Sequence, residues 1–316
     1  MAELPLGGKE KDFDSKKSRG RIINLIPEGD KEGGYKTVKR AEGLTTFASG
    51  MEAPVRSNPL VNGGFIYVVS GTKFYRVTSA GVPTSLGTVN GAGRAKLAAN
   101  AIPGDSEIVI LNGSGVGYIY SVALGLILIS DSDFFPSSSV TVLNERFWFV
   151  RDDRNEVFGS DVSDGTSYNP LTFAAAEESP DLTVAVIAKK SAIFILGEKT
   201  TEYWQAIDDT PVPIRRVNGA SKEWGIIAVD SLADVNDFFA FLANDRTVKL
   251  MKGSELIEIS DLDFTLRVKG NGTATFPGFD TVDDAFGFFV NGPVHSTYYL
   301  TFPTEGFTWG YDLSTG

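Results

Sequence analysis

The feature that most constrains this chain is the recurrence, from residue 61 onward, of short apolar strand-like runs grouped in threes and fours and cut apart by glycine-containing turns. One group reads as strands at 65–69, 73–77 and 84–89, with turns at Gly71 and at Ser79-Ala80-Gly81. A second covers 107–111, 117–121 and 126–129, and a third pairs 146–150 with 156–159 across Asp152-Asp153-Arg154-Asn155. The pattern returns at 184–188, 192–196, 201–204 and 213–217, again at 226–229, 238–242, 247–251 and 256–259, and last as an incomplete set at 286–290, 296–302 and 307–311. A period on the order of 45 residues is that of one four-stranded propeller blade. A lone blade cannot cover its two apolar faces, so neighbouring blades must stack around an axis. Two packed sandwiches are the other arrangement that buries such strands.

Composition agrees with strands. Glycine and proline punctuate the chain too often for long helices, and the 22 Phe and 10 Tyr suit half-buried pleated surfaces. The expected fold is therefore all-β and β-propeller-like, with antiparallel blades of three to four strands over residues 61–316 and the last blade possibly incomplete. Residues 1–60 are sparse in apolar side chains apart from Ile22-Ile23-Asn24-Leu25-Ile26 and a few around Leu44 and Phe47. They read as an extended N-terminal arm.

The formal net charge is −11, and it is unevenly spread. Residues 1–45 hold ten basic and eight acidic side chains, which leaves 19 basic against 32 acidic for the rest. An acidic body opposes tight wrapping of nucleic acid, whose binding relies on phosphate neutralisation. In the arm, Lys16, Lys17, Arg19, Arg21, Lys36, Lys39 and Arg40 are candidates for contact with an acidic partner surface, or form a solvated charge run.

No cysteine is present, which removes disulfides, thiolate zinc sites and cysteine nucleophiles from consideration. The longest unbroken apolar run, residues 122–129, is far too short for a membrane-spanning helix, and the first residues lack the pattern of a cleaved secretory signal. Synthesis in the cytoplasm is the expectation.

Reactive constellations are scarce. His295 is the only histidine, and no Gly-x-Ser-x-Gly elbow accompanies it. Asn90-Gly91-Ala92-Gly93-Arg94 lacks the Lys and Ser/Thr of a phosphate loop and reads as a blade-to-blade turn. The groups Asp131, Asp133 and Asp280, Asp283, Asp284 lack a full calcium-ligand ladder. Ser160-Asp161-Val162-Ser163-Asp164-Gly165-Thr166-Ser167-Tyr168 is loosely similar to the Asp-containing turn of sialidase propellers, where that turn is structural. No catalytic, cofactor or metal residue is assigned, and the expectation is a non-enzyme. A carbohydrate-binding or glycoside-cleaving propeller is the alternative; it would need two suitably spaced carboxylates.

Several stretches are similar to a known family. Arg21-Ile22-Ile23-Asn24-Leu25-Ile26-Pro27-Glu28, Gly33-Gly34 and Gly43-Leu44-Thr45-Thr46-Phe47 match its opening segment. Ile66-Tyr67-Val68-Val69-Ser70-Gly71-Thr72, Phe74-Tyr75-Arg76-Val77 and Ser85-Leu86-Gly87-Thr88-Val89 match its first blade. Gly117-Tyr118-Ile119-Tyr120, Phe173-Ala174-Ala175-Ala176-Glu177 and above all Gly197-Glu198-Lys199-Thr200-Thr201-Glu202-Tyr203-Trp204 extend the match. On these residues the chain resembles the packaged-DNA stabilisation proteins, or tail hubs, of short-tailed bacteriophages. Ile26 stands where that family has Tyr, and Tyr168 where it has Trp. Family members usually extend well beyond residue 316, so functions housed there are not carried over. The resemblance implies a virion protein made in the host cytoplasm: a hexameric ring below the portal and its adaptor that seals the channel, retains the genome and docks a needle, spikes or fibres. Double-stranded DNA would pass through its lumen without sequence-specific binding.

Overall fold

The computed structural model describes residues 25–29, 35–40, 45–176, 181–235, 237–273, 277–292 and 295–314. The chain divides into two compact units, residues 1–47 and residues 48–314. Within the first, Leu25–Gly29 pairs antiparallel with Tyr35–Arg40 as a two-stranded sheet. Pro27 lies opposite Val38.

The second unit is a six-bladed β-propeller of antiparallel sheets. Blade 1 comprises Leu60–Asn62, Phe65–Ser70, Lys73–Val77 and Pro83–Thr88. Blade 2 comprises Lys96–Ala99, Ile108–Leu111, Gly117–Ser121 and Gly125–Leu128. Blade 3 is built from Val140–Leu143, Arg146–Val150, Glu156–Asp161 and the long Asp164–Ala175. Blade 4 follows with Thr183–Lys189, Ala192–Gly197, Thr201–Ala206 and Ile214–Arg216. Blade 5 contains Ala233–Val235, Phe238–Leu242, Val248–Lys252 and Glu255–Glu258. Blade 6 has three strands among the described residues, Phe286–Asn291, Ser296–Phe302 and Phe307–Asp312.

The period-2 geometry of a strand explains why the central strands are apolar throughout. Successive residues enter different cores. Phe147 and Phe149 pack toward blade 2, while Trp148 and Val150 pack toward blade 4. Ile193 and Ile195 join blade 3; Phe194 and Leu196 join blade 5. Phe239 and Phe241 face blade 4, and Ala240 and Leu242 face blade 6. In blade 1, Phe74 faces blade 2 and Tyr75 the opposite side. Each fully buried side chain of this size contributes roughly 1.5–3 kcal/mol, and most blades spend both faces in this way.

The unit that holds the propeller begins at Ala48, and Ala48 and Met51 cover the free face of blade 1 over Val68, Tyr75 and Val77. The fifth blade departs from expectation. Residues 226–229 are not its first strand: Ile226 and Ala228 are buried in a connector that closes with a 3-10 turn at Val229–Ser231, and the innermost strand is Ala233–Val235. Helix Leu262–Val268 links blades 5 and 6. The Asp261 side chain caps it by accepting from Phe264 N–H at 2.7 Å, and Phe264 and Val268 seal the core between those blades.

Candidate functional site

Polar groups converge where the connectors enter blades 1, 2, 5 and 6. Arg56 precedes blade 1 and is almost wholly buried; its guanidinium donates to four main-chain carbonyls, Gly93 at 2.9 Å, Gly71 at 3.0 Å, Val89 at 3.3 Å and Asn112 at 2.5 Å. Burial lowers its pKa, but a guanidinium remains charged at any working pH. The fork geometry lets one side chain satisfy carbonyls from several connectors at once. The glycine-rich stretch belongs to this hub. A Cβ on Gly93 would stand 2.5 Å from Gly113 O, so glycine is required for the two connectors to approach. That stretch is thus the expected blade-to-blade turn, packed around an arginine.

Beside the hub, three side chains reach toward the far side of the ring. Lys96 Nζ, at the start of blade 2, lies 2.7 Å from Asp230 Oδ1 and 3.2 Å from Val229 O, both in the connector to blade 5. The Arg94 guanidinium stacks 3.6 Å from the ring centroid of Phe286 in blade 6; burial lowers its pKa while Asp230 raises it. Asn58 Nδ2 donates to Gly287 O at 3.1 Å. Blades 2 and 5 are opposite one another in a six-bladed ring, so the Lys96–Asp230 pair crosses the axis. Among the described residues this contact bridges the axis at that end of the propeller.

Several of the remaining candidates from the sequence have structural partners. His295 Nδ1 lies 2.5 Å from Asp312 Oδ2, joining the turn before Ser296–Phe302 to the end of Phe307–Asp312. Burial lifts the Asp312 carboxyl, but the Ser314 N–H, His295 and the Ser296 N–H outweigh it and hold the group below the usual carboxylate range. Asp131 accepts from the N–H groups of Asp133 and Tyr168, and Asp284 from that of Thr304. Among the described residues no group of three or more His, Cys, Asp or Glu is arranged to hold a metal ion. Glu107, unremarked in the sequence, is buried between blades 2 and 3, where it accepts from Asn100 Nδ2 and Gly165 N–H; burial raises its pKa. Of the arm candidates, Lys16, Lys17, Arg19 and Arg21 lie outside the described residues. Lys36, Lys39 and Arg40 fall on the strand Tyr35–Arg40, with side chains outside the described part.

A family model described as Bacteriophage P22 Gp10, beta-propeller, matches residues 8–261. The chain belongs to that family. It is a phage β-propeller structural protein, and the Gp10 match spans the two-stranded sheet and blades 1 to 5. A search of curated proteins returned no match. Solved structures similar to this Gp10-family chain include a streptogramin B lyase, at 12% identity over 85% of each chain with a TM-score of 0.49. Human WBSCR16 is 11% identical over 91% of this chain and 84% of its own, with a TM-score of 0.47. BamB from Moraxella catarrhalis is 8% identical over 82% and 74%, with a TM-score of 0.46. Among the described residues of this Gp10-family chain no helix is long and apolar enough to cross a membrane.

Proposed function

We propose that this chain is the tail hub of a short-tailed phage: a non-enzymatic virion protein, several copies of which form a ring below the portal and its adaptor, stabilise the packaged DNA and conduct it at ejection. The observation that carries this reading is the Gp10-family match over residues 8–261. The axial clasp gives it a physical form. With Lys96 and Asp230 in contact across the propeller axis, DNA would run through a lumen enclosed by several propellers and not through any one of them. The acidic balance of the chain supports such a conduit, since each strong cation–phosphate contact would retard passage. Retention of DNA would rest on ring closure by rigid blades, with docking loops left for a needle, spikes or fibres. Co-sedimentation of the purified chain with portal–adaptor complexes tests the role. Stable, saturable association is expected; a chain that never joins such complexes, yet binds or cleaves glycans on an array, would overturn it.

A further inference from the structure

Val82, Val122 and Val162 recur at one fixed spacing in the sequence. Each lies in the turn between the third and fourth strands of its blade, in blades 1, 2 and 3 respectively. Because these blades share one strand order, the three turns project from the same face of the propeller. Their exposures are 57%, 73% and 58%. Scattered surface valines need no explanation, but the same exposed residue at one structural position in three consecutive blades does.

The tips are also held in place. Asp105 accepts from Ser121 Oγ at 2.9 Å and from Val122 N–H at 2.8 Å, fixing the turn that presents Val122 and Leu124. Val82 N–H donates to Thr78 Oγ1 at 3.2 Å. Beside Val162, Ser163 N–H donates to Glu145 O at 2.9 Å, and Ser167 Oγ donates to Asp161 Oδ2 at 2.8 Å. Preorganised apolar knobs lose little freedom on docking. Their surroundings are acidic: Asp105, Glu145, Asp161 and Asp164 stand in the turns of this face, with Arg146 as the cation among them. In blade 5 the corresponding turn is Gly253-Ser254, so the valine arc is confined to one side of the ring.

The fitting occupant combines cations with apolar side chains and carries no carboxylate. Residues 16–23, Lys16-Lys17-Ser18-Arg19-Gly20-Arg21-Ile22-Ile23, have that chemistry. The chain enters the propeller on the face opposite the valines. Glu52 and Pro54 pair with the turn between the second and third strands of blade 1, through Thr72 N–H to Glu52 Oε2 at 2.9 Å and Gly71 N–H to Pro54 O at 2.8 Å. The valine arc lies on the face opposite that entry, where a second copy can approach it directly. We infer that the valine arc Val82–Val122–Val162 is the docking surface for residues 16–23 of a second copy of this chain.

The absence of native cysteine makes disulfide trapping a clean test. Full-length Ile23→Cys/Val122→Cys protein is prepared in normal and heavy-isotope forms, mixed and oxidised, and the 23–122 bridge is read by mass spectrometry. Bridges joining a light to a heavy copy are expected at about tenfold the yield of the control pair Ile23→Cys/Ile257→Cys, whose second site is on the rim of blade 5. Adding Lys16→Glu, Lys17→Glu, Arg19→Glu and Arg21→Glu should bring that yield down to the control level. Yields equal to the control, or bridges confined to single copies, would overturn the inference. The trap reads contact between copies whatever assembly they serve, so it can fail while portal binding stands.

Discussion

Lys96 Nζ and Asp230 Oδ1 meet at 2.7 Å and tie the first strand of blade 2 to the connector entering the opposite blade. Both side chains are about four-fifths buried, at 23% and 21% exposure, so the pair is less screened than a surface ion pair. With Arg94–Phe286 and Asn58–Gly287 it joins the first two blades to the last two. The hydrophobic cores between blades run from 1–2 through 5–6; among the described residues no such core joins blade 6 to blade 1. Lys96→Met is expected to cost only about 1 kcal/mol globally, in line with a partly exposed pair. Its larger effect should be local, as faster amide hydrogen exchange over Phe286–Asn291, measured against unchanged exchange in blade 4.

Arg56 tests the hub. Replacing it with lysine keeps the charge but cannot span the carbonyls of Gly71, Val89, Gly93 and Asn112, several of which are shut away from water. A loss of about 2 kcal/mol is expected for Arg56→Lys and about 3 kcal/mol for Arg56→Met, read from urea unfolding midpoints at constant slope.

Phe149 is fully buried and packs against Phe134, Phe158 and Tyr168 with ring centroids 5.2 to 5.8 Å away. Phe149→Ala leaves a cavity between blades 2 and 3. Destabilisation of about 3–5 kcal/mol is expected in calorimetry or urea melts, whereas Phe173→Ala, on the exposed outer strand of the same blade, should cost far less.

The Asp312 carboxyl sits below its ordinary value in the folded chain, so its contribution is present above the unfolded value of roughly 3.9 and is lost as pH falls through the lower folded value. Exchange protection of Phe307–Asp312 should therefore fall on acidification. Asp312→Asn should flatten that acid limb while lowering protection at neutral pH, where the contact with His295 is weakened.

The central hairpins of the blades were legible because their residues are apolar on both faces: the run Ala192–Gly197, buried along its whole length, can be little else. The innermost strand of blade 4, Thr183–Lys189, was legible for the same reason, but those of the first three blades were not. Leu60–Asn62, Lys96–Ala99 and Val140–Leu143 are only three or four residues long and include Asn62, Lys96 and Thr141, too short a run for the alternation to show. Asp164–Ala175 was hidden by its polar residues and Pro170, tolerated because this is an outermost strand. Residues 226–229 misled in the opposite sense, since apolar side chains buried in a connector mimic a strand. The axial clasp depends on which connectors the ring brings together, and local pattern carries no signal for that. Glycine at 91 and 93 was readable as a turn, but not as the space left at 91 for Arg56 and Asn112 and at 93 for Gly113.

Electron cryomicroscopy of the purified chain assembled on its portal–adaptor complex bears most directly on the account. The expected image is a cyclic ring of propellers around a shared lumen, each with its own axis closed at Lys96 and Asp230. A persistently monomeric chain that leaves the portal bare, or duplex density threading a single propeller, would contradict it.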